Sequence, residues 1–520
     1  MAEPAAPPSA RTWVLIAAVA ALGLGLLAWR FRWVNDDAYI TFSYARSLAE
    51  GHGFVHHPSA QPVEGFTELL FTLWIALGIW LGLSPIPLAL ASTALAGLAL
   101  ALAIVAAVRR ATGSAAAGAA VAIACAGCAP LAVWTTSGMG VAPFALAVFA
   151  TYLTALRAFE RPTAGATAAL AVAASAAVLL RADGAWWVAW IVGAGLLWAR
   201  RTPAGLRSLA TGAAVSAAVF GAVTWWRLAT FGAWVPNTAK AKLGLGARAF
   251  ERGVDYAAHF VLTFPGALAL FALCAFGAWR RRGAAEALAL VGSAATVLHA
   301  VLVGGDFMAF GRFLVPALPL VLVGAGCGLA ALPAGRARGA VQAACGVIAA
   351  LGLALPAFDV HLTPTAWREA FRFRFNPGNF GAEQPFFSER QQWHNMRARA
   401  EEWGVVGRDL ARLSRPDASV VAGAVGALGW HSRRRIFDRH GLLSREVAAL
   451  PPAPERRSPG HDTFVGPEFF LAERPTFLEV GIWPRERIAA HPYAGRLVVL
   501  GASERDGYLL WGLPGPSYAP

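Results

Sequence analysis

Read only for its apolar and polar positions, the chain divides at Pro356. Before that point apolar runs follow one another at approximately 13–30, 87–108, 115–133, 141–157, 165–181, 185–199, 208–228, 259–279, 285–303, 313–332 and 340–357. Each approaches the ~20 residues that a helix needs to cross a bilayer, which predicts about eleven transmembrane helices. Several are short and rich in Ala and Gly, as expected where helices pack closely through small residues. Beyond Pro356, Arg, Glu, Asp, Pro and Trp recur and no stretch can span. Ser419–Ala422, Phe477–Val480 and Leu497–Leu500 read as strands and Gln391–Leu413 as a helix. The pattern therefore predicts an α-helical polytopic membrane domain over residues 1–357 and a soluble α/β domain over 358–520.

The arginines orient this arrangement. Arg11, Arg109/Arg110, Arg157/Arg161, Arg200/Arg201/Arg207, Arg280/Arg281/Arg282 and Arg336/Arg338 occupy alternate connections, which the positive-inside rule assigns to the cytoplasm. The N-terminus is then cytoplasmic, and 31–86, 229–258 and 358–520 lie on the outer, periplasmic face of an inner membrane. The alternation holds only if the apolar run Leu69–Leu83 does not span. It is expected to lie along the outer interface, with Trp74 and Trp80 at headgroup depth. Because MAEPAAPPSA lacks a basic n-region, the run from Trp13 is read as an anchor rather than a removed signal.

Composition sharpens the picture in two places. With 57% apolar and 14% charged residues and a mean hydropathy of +0.52, most of the chain has lipid as its solvent. The formal charge of +14 comes from arginine clusters between apolar runs and argues for topology rather than nucleic acid. All five cysteines fall in apolar segments, so neither a disulfide framework nor a zinc site is expected in the hydrophilic parts.

Candidate chemistry gathers at the outer ends of the spans. NDDAYITFSYAR places Asp36 and Asp37 just beyond the first run, with Tyr39, Phe42 and Arg46 on nearby helical faces. Two adjacent carboxylates can divide labour, one as general base and the other holding a metal or a sugar hydroxyl; alternatively, an Asp there caps a helix. Arg181 with Asp183, Arg227 followed by WVPNTAKAK with Asn237, Lys240 and Lys242, and Asp306 with Arg312 repeat the pattern. Basic groups on the outer face suit a phosphate-bearing ligand, or else pair with the neighbouring carboxylates inside the bundle.

The segments DDAYITFSYARSLAEGHGFV, PVEGFTELL, WTTSGMG, RADG, WVPNTAKAK, GGDFMAFGRFLVPALP, AGAVGALGW, IFDRHGLL and SPGH resemble, in order, those of the GT-C glycosyltransferases that use polyprenyl-phosphate sugars. Within that superfamily they are similar to the branch containing the mycobacterial terminal arabinofuranosyltransferase. The resemblance implies inverting transfer of a sugar, arabinofuranose or another monosaccharide, from a polyprenyl-phosphate donor to a cell-envelope glycan or lipid acceptor on the periplasmic face. It casts Asp36 as base and Asp37 as second choice or helper, with Mg or Mn as an optional metal on this pair. Lys242 and Arg312, then Lys240 and Arg227, would meet the donor phosphate, with Asn237 as an oriented amide. Tyr39, Arg46, Glu64, Arg181, Asp183, Asp306 and His461 are the candidates for the substrate side. One departure stands out: after WTTSG the family commonly has Leu-Glu, whereas this chain has Met139-Gly140. That substitution favours the competing reading of a catalytically silent scaffold, which the intact acidic pair opposes. A transporter, with ionisable groups at mid-membrane, fits the pattern less well.

Overall fold

A computed structural model describes residues 8–200, 202–242, 246–374, 386–452 and 458–520, with the backbone alone at 241 and 242. The membrane part consists of α1 (Ala10–Arg30), α2 (Asp36–Ala49), α3 (Leu69–Trp80), α4 (Pro85–Thr112), α5 (Ala115–Ala126), α6 (Ala129–Trp134), α7 (Val141–Glu160), α8 (Ala164–Leu180), α9 (Ala185–Ala199), α10 (Pro203–Phe231), α11 (Asn237–Lys242), α12 (Ala247–Thr263), α13 (Pro265–Arg281), α14 (Ala284–Leu302), α15 (Ala317–Ala330) and α16 (Arg338–Ala354). Each apolar run of the sequence falls largely within these helices. Among the described residues six helices are long and apolar enough to cross a membrane, seven if α12 and α13 count as one bent span; α5, α8, α9 and α15 are shorter apolar helices.

Helix α1 shows how the bundle meets its two solvents. Trp13, Ile16, Ala20, Leu24 and Ala28 form a buried stripe at helical spacing, while Val14, Leu15, Leu22 and Leu26 on other faces are exposed. An exposed face this apolar suits lipid and not water. Elsewhere small residues allow backbones to touch: a Cβ on Gly277 would stand 2.7 Å from Gly328 N, and one on Gly266 2.3 Å from Ala349 O. Helix α3, 12 residues long, is about 18 Å in length, well short of the hydrocarbon core. It packs against α2 and α4 with Trp74 and Trp80 exposed.

Two expected spans are broken. The run 259–279 bends by 97° between α12 and α13, because Pro265 brings no N–H to the ladder and its ring clashes with the preceding turn. The run 115–133 is interrupted at Gly127-Cys128, with Pro130 in the first turn of α6.

The bundle has two distinct ends. At one, Arg110 pairs with Glu160, Arg281 pairs with Glu286 at 2.7 Å, and Arg109 lies over Trp13. The other end carries α2, α3, the loops rich in carboxylates, and the C-terminal domain. That domain is built on α18 (Glu389–Leu413) after the short α17 (Thr365–Glu369), with α19 (Ala427–Ser432) and strands β1 (Ser419–Ala422), β2 (Arg435–Asp438), β3 (Phe477–Trp483), β4 (Val498–Ala502) and β5 (Leu509–Pro514). The sheet order is β2-β1-β3-β5-β4, with β1 parallel to β2 and β3, and β5 antiparallel to β3 and β4. Ile40, Tyr44 and Phe66 of the membrane part share one apolar cluster with Val420, Leu428, Ile436 and Leu510 of the sheet domain. The two parts are thus joined through a common core.

Candidate functional site

The site is assembled where three loops converge beneath the sheet domain. Leaving α1, the chain runs beside the WTTSG segment: Trp33 N donates to Thr136 O at 3.3 Å and Asn35 N to Ser137 O at 3.0 Å. The Asn35 amide nitrogen lies 3.2 Å from the sulfurs of both Met139 and Met308, which joins the acidic motif to WTTSGMG and to GGDFM. Helix α2 then begins with Asp36 and Asp37 in its first turn, where the helix dipole favours negative charge.

Successive helical residues point about 100° apart, and here the divergence separates two roles. Asp36 faces the sheet domain. Its carboxylate accepts N–H bonds from Ala427 at 2.8 Å and Gly426 at 3.3 Å, at the start of α19. Burial pushes its carboxyl up to about 6, against the Ala427 bond. Asp37 instead lines a cavity of about 310 Å³.

Around Asp37 this cavity is lined by Glu68, Arg181, Asp183, Arg227, His299, Asp306 and Arg312. Each arginine meets a carboxylate. Arg181 grips Asp183 through Nε and Nη2 at 2.9 and 2.8 Å, and His299 Nε2 lies 2.9 Å from the same Asp183. Arg227 Nε donates to Glu64 at 2.6 Å, with both side chains buried. Arg312 Nε stands 2.7 Å from Asp306 Oδ2, a charge contact without hydrogen-bond alignment. A guanidinium offers five donors, so an Nε contact leaves Arg227 and Arg312 capacity for a further anion. The lining also has an apolar part, Phe220, Trp234, Val235 and Phe313, with Arg181 and Arg312 lying over the Phe313 ring; Trp234 is 68% and Phe220 40% exposed at the bundle surface. Leu442, Pro459 and Gly460 of the sheet domain complete the lining.

Glu68 and His299 are the members that sequence reasoning missed. The Glu68 carboxylate accepts the Gly140 N–H at 2.9 Å, and burial pushes its carboxyl up against that bond and the nearby Arg181 and Arg312. A Cβ at Gly140 would lie 3.2 Å from the Glu68 carboxylate. The Glu68 carboxylate therefore stands directly beside position 140. His299 had a legible signal, being an ionisable side chain within the apolar run 285–303.

Several sequence candidates lie elsewhere. Asp36, the first candidate for the base, is committed to α19. Tyr39 packs on Phe42 and His431, and Arg46 donates to Trp430 O at 3.0 Å while lying over its ring. The Asn237 side-chain nitrogen donates to the carbonyls of Gly441, Leu442 and Ser444 at 2.6, 3.1 and 3.3 Å, which ties it to the sheet domain. Glu64 acts through Arg227. Lys240 is exposed and is not part of the lining, and the Lys242 side chain lies outside the described residues. His461 meets Phe307 and His440 edge to face, next to Gly460 in the lining. As a metal pair Asp36 and Asp37 fit poorly, since they diverge and Asp36 is engaged by backbone N–H groups. Among the described residues no three His, Cys, Asp or Glu side chains gather to hold a metal ion.

The architecture has counterparts among solved structures. The crystal structure of ArnT from Cupriavidus metallidurans bound to undecaprenyl phosphate matches with a TM-score of 0.59 at 14% identity, over 98% of this chain and 100% of that one. The apo state of the same protein matches at 0.56 and 14% identity, with the same coverage. The cryo-EM structure of the arabinosyltransferase EmbB from Mycobacterium smegmatis gives 0.42 at 16% identity, over 71% of this chain and 40% of that one. A family model described as a domain of unknown function (DUF8728) matches residues 389–507, and no curated protein matches the chain in sequence. The chain is a multi-pass membrane protein with a GT-C-like fold and a small C-terminal sheet domain.

Proposed function

We propose that the chain is a glycosyltransferase that moves a sugar from a polyprenyl-phosphate donor to a hydroxyl of an envelope glycan or lipid, with the cavity facing the periplasm. The observation that carries this reading is the cavity itself, which combines a carboxylate, Asp37, with three arginines and an apolar wall reaching the bundle surface. A lipid-linked donor matches that division: the polyprenyl chain stays against Phe220 and Trp234 while the phosphate meets Arg227 and Arg312. The ArnT structure bound to undecaprenyl phosphate supports a fold of this kind accepting such a lipid.

In the proposed reaction Asp37 takes the proton of the acceptor hydroxyl. The acceptor oxygen bonds to the anomeric carbon from the face opposite the phosphate, which inverts its configuration. The bond from that carbon to the phosphate oxygen breaks, and its electron pair leaves with polyprenyl phosphate. Cations already oriented around the departing oxygen need no reorganisation as charge develops there. Glu68 and the Asp183–His299 pair are placed to orient sugar hydroxyls.

The test is turnover by purified protein in nanodiscs, supplied in parallel with polyprenyl-phosphate pentoses and hexoses and with nucleotide sugars. Transfer is expected from a polyprenyl-phosphate donor, and Asp37→Asn should lower it by ~10²–10⁴-fold, the usual loss on removing a general base. Turnover with nucleotide sugars alone would refute the donor class.

A further inference from the structure

Arg312 reaches the cavity from a segment that is neither strand nor regular helix. Between α14 and α15 the backbone enters the left-handed region at Gly304 (φ 81°), Gly305 (φ 73°), Phe310 (φ 58°) and Gly311 (φ 61°). Phe310 is not glycine, and an L side chain rarely adopts this conformation without being held there. Trp134 Nε1 donates to Ala309 O at 3.1 Å and Phe313 N to Tyr256 Oη at 3.2 Å on either side of it, while the Phe310 amide itself is held from the other domain. Glu389, in the first turn of α18 and 2% exposed, accepts the Phe310 N–H. The same carboxylate meets His259 Nε2 at 2.9 Å and Arg374 Nη1 at 2.8 Å. Arg374 also donates to Met308 O at 3.0 Å, and Gln392, one turn along α18, donates to Phe307 O at 3.1 Å. The capping box of Ser388 and Gln391 fixes the start of α18, so the carboxylate is presented from a rigid element.

We propose that Glu389 is a positioning residue for Arg312: it holds the turn 308–312 in the left-handed path that delivers the Arg312 guanidinium to the cavity. This rests on the reading that Arg312 meets the donor phosphate. Glu389 itself is outside the cavity lining and acts two residues away, through the Phe310 amide. The sheet domain thereby completes the site and is more than a cover for it.

The experiment compares wild type, Glu389→Ala, Arg312→Ala and the double variant in nanodiscs. It measures kcat and KM for the polyprenyl-phosphate donor, retention of undecaprenyl phosphate by native mass spectrometry, and amide exchange at Phe310. Glu389→Ala is expected to lose ~10–100-fold in kcat/KM, as a displacement of about 1 Å can cause, and to lose Phe310 protection. Because both changes remove one function, the double variant should be no worse than Arg312→Ala. Glu389→Gln, whose carbonyl can still accept the Phe310 N–H, should recover part of the loss and serves if the alanine variant does not fold. Wild-type turnover by Glu389→Ala, or losses that multiply in the double variant, would overturn the proposal. If the wild type transfers no sugar, the functional reading fails, and exchange at Phe310 still decides: unchanged protection in Glu389→Ala sinks the positioning role.

Discussion

Asp36→Asn separates the roles of two adjacent carboxylates. Asp36 Oδ1 takes the Ala427 N–H at 2.8 Å and Oδ2 the Gly426 N–H at 3.3 Å, while burial, opposed by the Ala427 bond, moves its carboxyl from 3.8 to about 6. A folded-state value raised in this way means that the stabilising contribution of Asp36 is complete below about pH 3.8 and is lost as pH rises through 6. The rise corresponds to about 3 kcal/mol that the ionised group lacks at neutral pH. Asparagine has the same shape, keeps an oxygen for Ala427 and carries no charge; losing the longer Gly426 bond costs about 1 kcal/mol. The expected outcome is a folded Asp36→Asn protein whose thermal midpoint at pH 7.5 equals or exceeds wild type, with turnover within ~10-fold, far from the ~10²–10⁴-fold loss expected for Asp37→Asn. Its stability should also lack the decline expected of wild type between about pH 4 and pH 6. Asp36→Ala, leaving both N–H groups unpaired, should instead destabilise by about 1–3 kcal/mol for each. Tryptophan fluorescence on heating at both pH values, beside donor turnover in nanodiscs, provides the measurement. A well-folded Asp36→Asn protein as inactive as Asp37→Asn would return the base to Asp36 and refute the division of labour.

Glu64→Ala should cost about 3–5 kcal/mol, because it strands the buried Arg227; an unchanged melting temperature would count against that pair. Gly140→Glu should reduce transfer at least ~10-fold, since its side chain enters the space of the Glu68 carboxylate and adds a like charge. Pairing it with Glu68→Ala should restore part of the activity, and failure to do so would show that the two positions do not share one role. Alkaline phosphatase, active only outside the cytoplasm, is expected to work when fused after Pro520 and to fail after Arg110; an inactive but stable fusion at Pro520 would invert the proposed orientation.

Most of the membrane architecture was legible in the one-dimensional pattern, because lipid imposes a simple rule. An apolar run must close its own hydrogen bonds, so it becomes a helix wherever it lies. That rule located the helices and separated Leu69–Trp80 from the spans by charge parity. It did not reveal the 97° turn at Pro265, where the run 259–279 looks continuous in hydropathy. In the sheet domain the predicted strands Ser419–Ala422, Phe477–Val480 and Leu497–Leu500 fall on β1, β3 and β4, but Arg435–Asp438 and Leu509–Pro514 were missed, each having too little alternation to distinguish it from loop.

Six charged residues of the cavity lining, Asp37, Arg181, Asp183, Arg227, Asp306 and Arg312, stand out in the sequence as charges at the ends of apolar runs. Their assignment to roles was not legible there. Which member of the acidic pair enters the cavity depends on the phase of α2 against α19, and α19 follows Asp36 by nearly 400 positions. The contact of Glu68 with Gly140 and that of Glu389 with the Phe310 N–H in the turn bearing Arg312 likewise join segments remote in sequence. Periodicity and spacing report on neighbours within a few turns of helix; the direction of a buried side chain is decided by the distant element that supplies its partner.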